Sequence, residues 1–146
     1  MFADLLRRLT ATDPGHLPAP DARLALAALM VRVARSDGDY AAAEVSRIDR
    51  ILMRRHGLDA DAAGALRTEA EALEAEAPDT VRFTKAIKDA VSLEDRTAVI
   101  EALWSVVLAD GTRDADEDSL LRLLANLLGI NDRDSNLARL RVEQSL

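Results

Sequence analysis

The chain has 146 residues, 49% hydrophobic, 31% charged and 3% aromatic, with 19 basic against 26 acidic side chains and a net charge of −7. It is long enough to bury a core and too apolar to be disordered, while its few aromatic residues, six Gly and four Pro argue against an all-β fold. The acidic balance argues against indiscriminate nucleic-acid binding, and the lack of cysteine excludes a disulfide scaffold, a thiolate metal site and a thiol nucleophile.

Phe2, Leu5, Leu6 and Leu9 share one face at helical spacing and predict a short amphipathic helix. Residues 12–20 hold three prolines and Gly15 and read as a loop, so 1–20 form an N-terminal appendage to a helical domain over 21–146. Asp21 is placed to cap a helix running to Arg35, in which Leu24, Leu26, Ala27, Ala28, Met30, Val31, Val33 and Ala34 leave almost no polar side. Such a helix belongs at the centre. Asp37-Gly38 breaks the chain, and a third helix over 42–56 carries Val45, Ile48, Ile51 and Leu52 on one face. Gly57-Leu58 reads as a left-handed helix stop with an apolar contact beyond it. A fourth helix, capped by Asp59 and reaching Glu76, is rich in Ala and Glu and suits an edge position; Pro78 ends it.

Asp79 or Thr80 starts a fifth helix with Phe83 and Ile87 on one side. Ser92 with Asp95 resembles a capping box and opens a sixth, nearly all-apolar helix through Val99, Ile100, Ala102, Leu103, Trp104, Val106 and Val107. After Asp110-Gly111, Asp114 with Glu117 opens a seventh helix bearing Leu120, Leu121, Leu123, Leu124, Leu127 and Leu128, closed by Gly129-Ile130. A last helix, over about 132–142, is weakly amphipathic through Leu137, Leu140 and Val142. The expectation is an all-α, compact domain of about seven to eight helices with no strand. The N-terminus lacks a signal-peptide pattern. The apolar runs over 24–31 and 102–109 fall short of the roughly 20 residues that span a bilayer, so a cytoplasmic location is expected.

ARSDGDYAAAE from Ala34 matches VLADGTRDADE from Val107. Asp37 maps onto Asp110, Gly38 onto Gly111, Glu44 onto Glu117 and Ile48 onto Leu121. Each copy has an all-apolar helix before the break and a one-sided helix after it. This predicts a pseudo-twofold pair of helical hairpins, with repeat halves over about 21–58 and 92–130 and the two apolar helices at the centre.

The paired Asp-Gly…Glu motifs have two readings. In one they are structural: glycine turns the chain, aspartate bonds amides in the break, and glutamate at the third helical position reaches back to the free amides. In the other, Asp37, Glu44, Asp110 and Glu117 converge across the pseudo-twofold axis, joined by Asp39, Asp114 and Asp116, to give the oxygen ligands that Ca²⁺ or Mg²⁺ prefers. Neither copy has EF-hand spacing.

The ordered set of motifs resembles the bacterial tellurite-resistance TerB family. The two Asp-Gly…Glu copies, Arg82-Phe83-Thr84, the 98–109 helix with Leu103-Trp104, and Leu127-Leu128-Gly129 carry the resemblance, which covers about 21–139. It implies a compact, internally duplicated helical domain. It also implies a non-enzymatic role in stress or tellurite resistance, as an interaction or sensing module with protein partners, peripheral to membranes. By the same resemblance Asp37, Glu44, Asp110 and Glu117 are the metal-chelating acids. The chain departs from the pattern at Ala41, where the second copy has Asp114, and at Tyr40 and Arg113, where an aliphatic residue is expected. It is closer to the TerB-like branch than to the tellurite operon protein.

Arg47, Arg50 and Arg54 form a basic stripe, and Lys85 and Lys88 lie near Arg82. Either group can meet anions, but a solvated face explains both. Trp104 fits a core position, His56 a helix C-terminus where a cation is favoured, and His16 a loop; the two histidines have no zinc spacing. An enzyme is not expected. There is no phosphate loop, no nucleophile elbow and no Glu-x-x-His pair for a di-metal bundle, which leaves a metal-dependent hydrolase the weakest reading.

Overall fold

The computed structural model describes residues 19–36, 40–76, 84–85, 87–89, 91, 93–108 and 115–145, with backbone alone at 19–22, 93–94 and 115–117. The fold is all-α: α1 (Ala19–Arg35), α2 (Ala42–His56), α3 (Ala60–Glu76), α4 (Leu93–Val107), α5 (Ala115–Leu127) and α6 (Asp132–Ser145). Thr84, Lys85 and 87–89 are also helical, with Thr84 and Ile87 buried. No strand occurs among the described residues. The helix expected over 2–9 and residues 12–18 of the expected loop lie outside them, as do Phe83 and Ser92; Ala19 and Pro20, read as loop, are already helical, so α1 starts two residues before Asp21, which lies inside the helix rather than capping it. The side chain of Asp21 is also outside the described residues.

The two apolar helices lie at the centre. Every residue from Leu24 to Val31 is buried, and on α4 so are Val99, Ile100, Ala102, Leu103, Trp104, Val106 and Val107. Helix α1 packs on α2, α3, α4 and α5; α4 packs on α1, α2, α5 and α6. Exchanging α1, α2 and α3 with α4, α5 and α6 carries α1·α4 onto itself and each other neighbour pair, with α2·α3 and α5·α6, onto another. The pattern therefore takes in α3 and α6, which lie outside the repeat halves read from the sequence.

Helix α3 packs on α1 and α2 and buries Ala63, Ala70 and Leu73; the two alanines let the helices approach closely. Ion pairs fasten its outer side. Arg32 and Arg35 of α1 reach Glu74 at 3.8 and 3.4 Å, and Arg67 of α3 reaches Asp49 of α2 at 2.6 Å and Glu71 at 3.2 Å.

The helix stops fall where the glycines predict. Gly57 and Gly129 have φ of 65° and 79°. Beyond each, an amide closes back across the last turn: Leu58 N–H donates to Met53 O at 3.1 Å and Ile130 N–H to Ala125 O at 2.8 Å. Both flanking side chains pack on the core, as this motif requires. Asp59 Oδ1 accepts from Ala62 N–H at 2.8 Å and caps α3 as expected. Asn131 caps α6 through Asp134 N–H at 2.8 Å, a cap the sequence reading did not single out.

Helix α6 faces the core differently from the prediction. Ser135, Ala138 and Val142 point inward, while Leu137 and Leu140 are 42% and 43% exposed. One contribution comes from Trp104, 4% exposed on α4, whose indole Nε1–H donates to Ser135 Oγ at 3.1 Å. A buried indole needs an acceptor, and this register supplies one.

Gly57→Ala and Gly129→Ala each force a side chain into left-handed backbone. At position 129 the added Cβ meets Arg96 and Lys88 only at ordinary contact distance, 3.7 Å, so backbone strain is the expected cost. Each variant is expected to lose about 1 kcal/mol of unfolding free energy, read as a lowered denaturant midpoint with unchanged slope.

Candidate functional site

The Asp-Gly…Glu breaks are the first place to look for chemistry. Glu44 occupies the third position of α2. Its Oε1 accepts the Ala41 backbone N–H at 3.2 Å, and the residue is only 3% exposed. Ala41 has no side chain to return the bond, so Glu44 makes half of a capping box alone. Asp37, Asp39, Asp110 and Asp114 lie outside the described residues. Asp116 and Glu117 stand in the first turn of α5, with their side chains outside the description. Of the four acids expected to converge, only Glu44 has its side chain described, and its Oε1 is bonded at its own helix end. Among the described residues no group of three or more His, Asp or Glu side chains is arranged to hold a metal ion.

Tyr40 shows what replaces an aliphatic residue at the first break. Its ring packs against the core, with the Arg35 guanidinium 5.1 Å from the ring centroid. Burial, then the Glu71 carboxylate beside it, pushes the phenol well above its usual range. Arg67, bonded first to Asp49, is held more firmly cationic than usual. These groups extend the ion-pair system that joins α1, α2 and α3, and they tie down the start of α2.

His56 sits at the last turn of α2, where a charged imidazole would suit the helix dipole. Instead burial, followed by the fields of Arg23 and Arg55, lowers its pKa from 6.5 to about 4. The imidazole is neutral, and its Nε2 is buried without a hydrogen-bond partner among the described residues. Burial here outweighs the dipole.

The second place is a groove of about 340 Å³ where α4, α5 and α6 meet. It is lined by Trp104 of α4, by Asp118, Ser119 and Arg122 from α5 and by Asp132, Ser135 and Asn136 from α6. Arg122 Nε stands 3.7 Å from Asp132 Oδ2, and both side chains are largely in solvent. The Arg139 guanidinium is 5.9 Å from the Trp104 ring centroid. Leu123, 44% exposed on α5, and Leu137 and Leu140 on α6 adjoin these residues in sequence. The sequence reading missed the groove, because its lining comes from three separate helices. On the opposite half, Arg50 and Arg54 are exposed and Arg47 is half-buried, so two of the three arginines of the expected stripe lie on a solvated face.

The family model for the tellurite resistance protein TerB matches residues 23–140. The match spans most of the chain, and the chain belongs to the TerB family. No curated protein and no solved structure matches it. No helix among the described residues is long and apolar enough to cross a membrane.

Two measurements check this geometry. Because the folded pKa of His56 lies below its ordinary value, its neutral form adds stability above about pH 6.5 that is lost as pH falls through about 4. The difference in Tm between the parent and His56→Gln is expected to shrink in the parent's disfavour across that window. A constant difference would contradict the burial. Ser135→Ala strands the Trp104 indole N–H and is expected to cost about 1–3 kcal/mol in chemical denaturation, with Ser135→Thr partly restoring it.

Proposed function

We propose that this chain is a non-enzymatic interaction module of a stress or tellurite-resistance system, which docks a protein partner on the outer face of α5 and α6. One observation carries the reading: α6 turns Leu137 and Leu140 to solvent while a serine and an alanine face the core. Scattered exposed leucines are ordinary on protein surfaces. Two on the outward face of one helix, with Leu123 on the neighbouring helix, give a partner apolar area to cover.

The same reading treats the first Asp-Gly…Glu copy as a helix-capping device. Glu44 is buried and its Oε1 accepts from Ala41 N–H, the contact a helix cap requires. The TerB relationship supports association with tellurite-resistance systems at the level of the family.

Docking is tested with a photo-crosslinking amino acid placed at 137, 140 or, as control, 61 on α3, in cells that normally express the protein. Discrete adducts at 137 and 140 with none at 61 are expected; no adduct at either leucine position overturns the docking face. Calorimetric titration of metal-free protein with Ca²⁺ and Mg²⁺ tests the capping role. No saturable heat is expected, with Glu44→Gln within about 0.5 kcal/mol of the parent in stability, since its amide oxygen still accepts from Ala41, and Glu44→Ala lower by about 1 kcal/mol. Saturable binding lost in Glu44→Gln would make the acid a ligand instead.

A further inference from the structure

We propose that the row of arginines on α2 is a docking strip for an acidic protein segment, one that lays several carboxylates side by side along the helix. The strip lies on the other half of the fold and does not depend on the docking face of α5 and α6.

Helix α2 carries four arginines and two acids. Both acids are engaged: Glu44 Oε1 accepts from Ala41 N–H, and Asp49 is held by Arg67 of α3 at 2.6 Å. The arginines are left over. Arg50, Arg54 and Arg55 are exposed and Arg47 is half-buried, and none of the four makes an ion pair or a hydrogen bond among the described residues. Carboxylates are not scarce in a chain with 26 acids for 19 bases, and elsewhere arginines find them: Arg35 reaches Glu74, Arg139 reaches Glu143 and Arg141 reaches Glu101. The helix dipole accounts for Arg54 and Arg55 in the last turn, but not for Arg47 and Arg50 before it.

Arg47, Arg50 and Arg54 fall within about 60° of one another around the helix and span roughly 10 Å of its length. They form a row and do not converge on one point, which suits separate single charges better than one phosphate group. Exposed Ala43 and Ser46 share this face and are too short to cover the guanidinium groups. All four cations are arginine, whose planar fork takes a carboxylate through two parallel bonds, while the chain's two lysines, Lys85 and Lys88, lie outside α2. Beyond the row the cationic field continues, since Arg55 and Arg23 of α1 both act on His56.

Charge and composition select the class of partner. The chain carries a net charge of −7, and exposed Asp59 and Asp61 follow directly after α2. A nucleic acid or an anionic bilayer is larger than the row and would face those acids too. Single-stranded nucleic acid also draws on aromatic stacking, and a bilayer on inserted apolar groups; Ala43 and Ser46 supply neither. A short acidic segment can stay on the row and clear of the acids.

The full chain would be titrated into a fluorescent alanine-based helical peptide with glutamates at i, i+3 and i+7, and anisotropy followed at about 20 mM salt, where exposed charges are weakly screened. Saturable binding is expected. The same peptide with glutamine, a short oligothymidylate and vesicles containing phosphatidylserine are expected to bind more weakly. Arg50→Gln should weaken the glutamate peptide about threefold, and Arg47→Gln, Arg50→Gln and Arg54→Gln together about thirtyfold, as three exposed pairs would. Tm should stay unchanged, because these side chains hold no other residue. Arg133→Gln removes the same charge from an exposed position on α6 and should leave binding as it is. No saturable binding, an equal loss with Arg133→Gln, or oligothymidylate or vesicles bound as tightly as the glutamate peptide would overturn the proposal.

Discussion

Two helices without a polar side set the terms for this fold. An apolar stripe can be hidden by one neighbour, but α1 and α4 present apolar residues around almost their whole circumference, and water is removed from them only if other helices stand on several sides. Four helices each supply that cover: α2, α3, α4 and α5 for α1, and α1, α2, α5 and α6 for α4. Once the two lie against each other, the remaining positions are prescribed. A one-sided helix must follow each central one, and a further helix must close each outer flank. The exchange symmetry of the neighbour pairs is the form this requirement takes when both halves have the same pattern.

Within that frame, small residues and single hydrogen bonds decide how each outer helix is rolled. Helix α3 can lie close on its neighbours because it buries the small Ala63 and Ala70, and arginines from α1 then reach Glu74. Helix α6 is set in part by the buried indole. At a little over 40% exposure, each of Leu137 and Leu140 would gain only about 1 kcal/mol from complete burial, whereas an unpaired buried indole N–H costs about 1–3 kcal/mol. Those terms nearly cancel. The small Ala138 beside Ser135 on the inward face then favours the observed register, because a leucine pair there would push α6 away from the helices it packs on.

The sequence made the central helices legible because their signal is redundant: Leu24 to Val31 says the same thing at eight successive positions. The glycine stops were legible because left-handed backbone has few solutions, and Gly57-Leu58 and Gly129-Ile130 both provide one. Periodicity misread α6 because it weighs side chains by apolarity and cannot know that Trp104 needs Ser135, 31 residues away. For the same reason the groove was invisible, being a meeting of three helices rather than a spacing along one. Glu44 lay between these cases. Its place in the first turn was readable, as was its reach to Ala41 N–H, but a short acidic motif in sequence is equally consistent with a ligand set. Burial and a bond distance show the capping contact at this position, which the sequence alone leaves open.

The two halves share a pattern and spend it differently. Around the first break, charged groups are drawn inward and matched: Arg67 holds Asp49 and Glu71, Arg35 stands over Tyr40, and Glu44 closes on its own helix end. In the second half the comparable resources face outward. Arg122 and Asp132 meet loosely in solvent, Trp104 lines an open groove, and three leucines are left uncovered. Paired, buried charges stiffen a surface and leave a partner little to replace, because breaking them strands a charge out of water. Loosely paired, exposed charges beside apolar side chains can be exchanged for a partner's at small cost, and the leucines then supply the area that makes the exchange favourable. A helical scaffold braced by ion pairs across α1, α2 and α3, with leucines left exposed on α5 and α6, is suited to a protein that must be rigid and must also be bound.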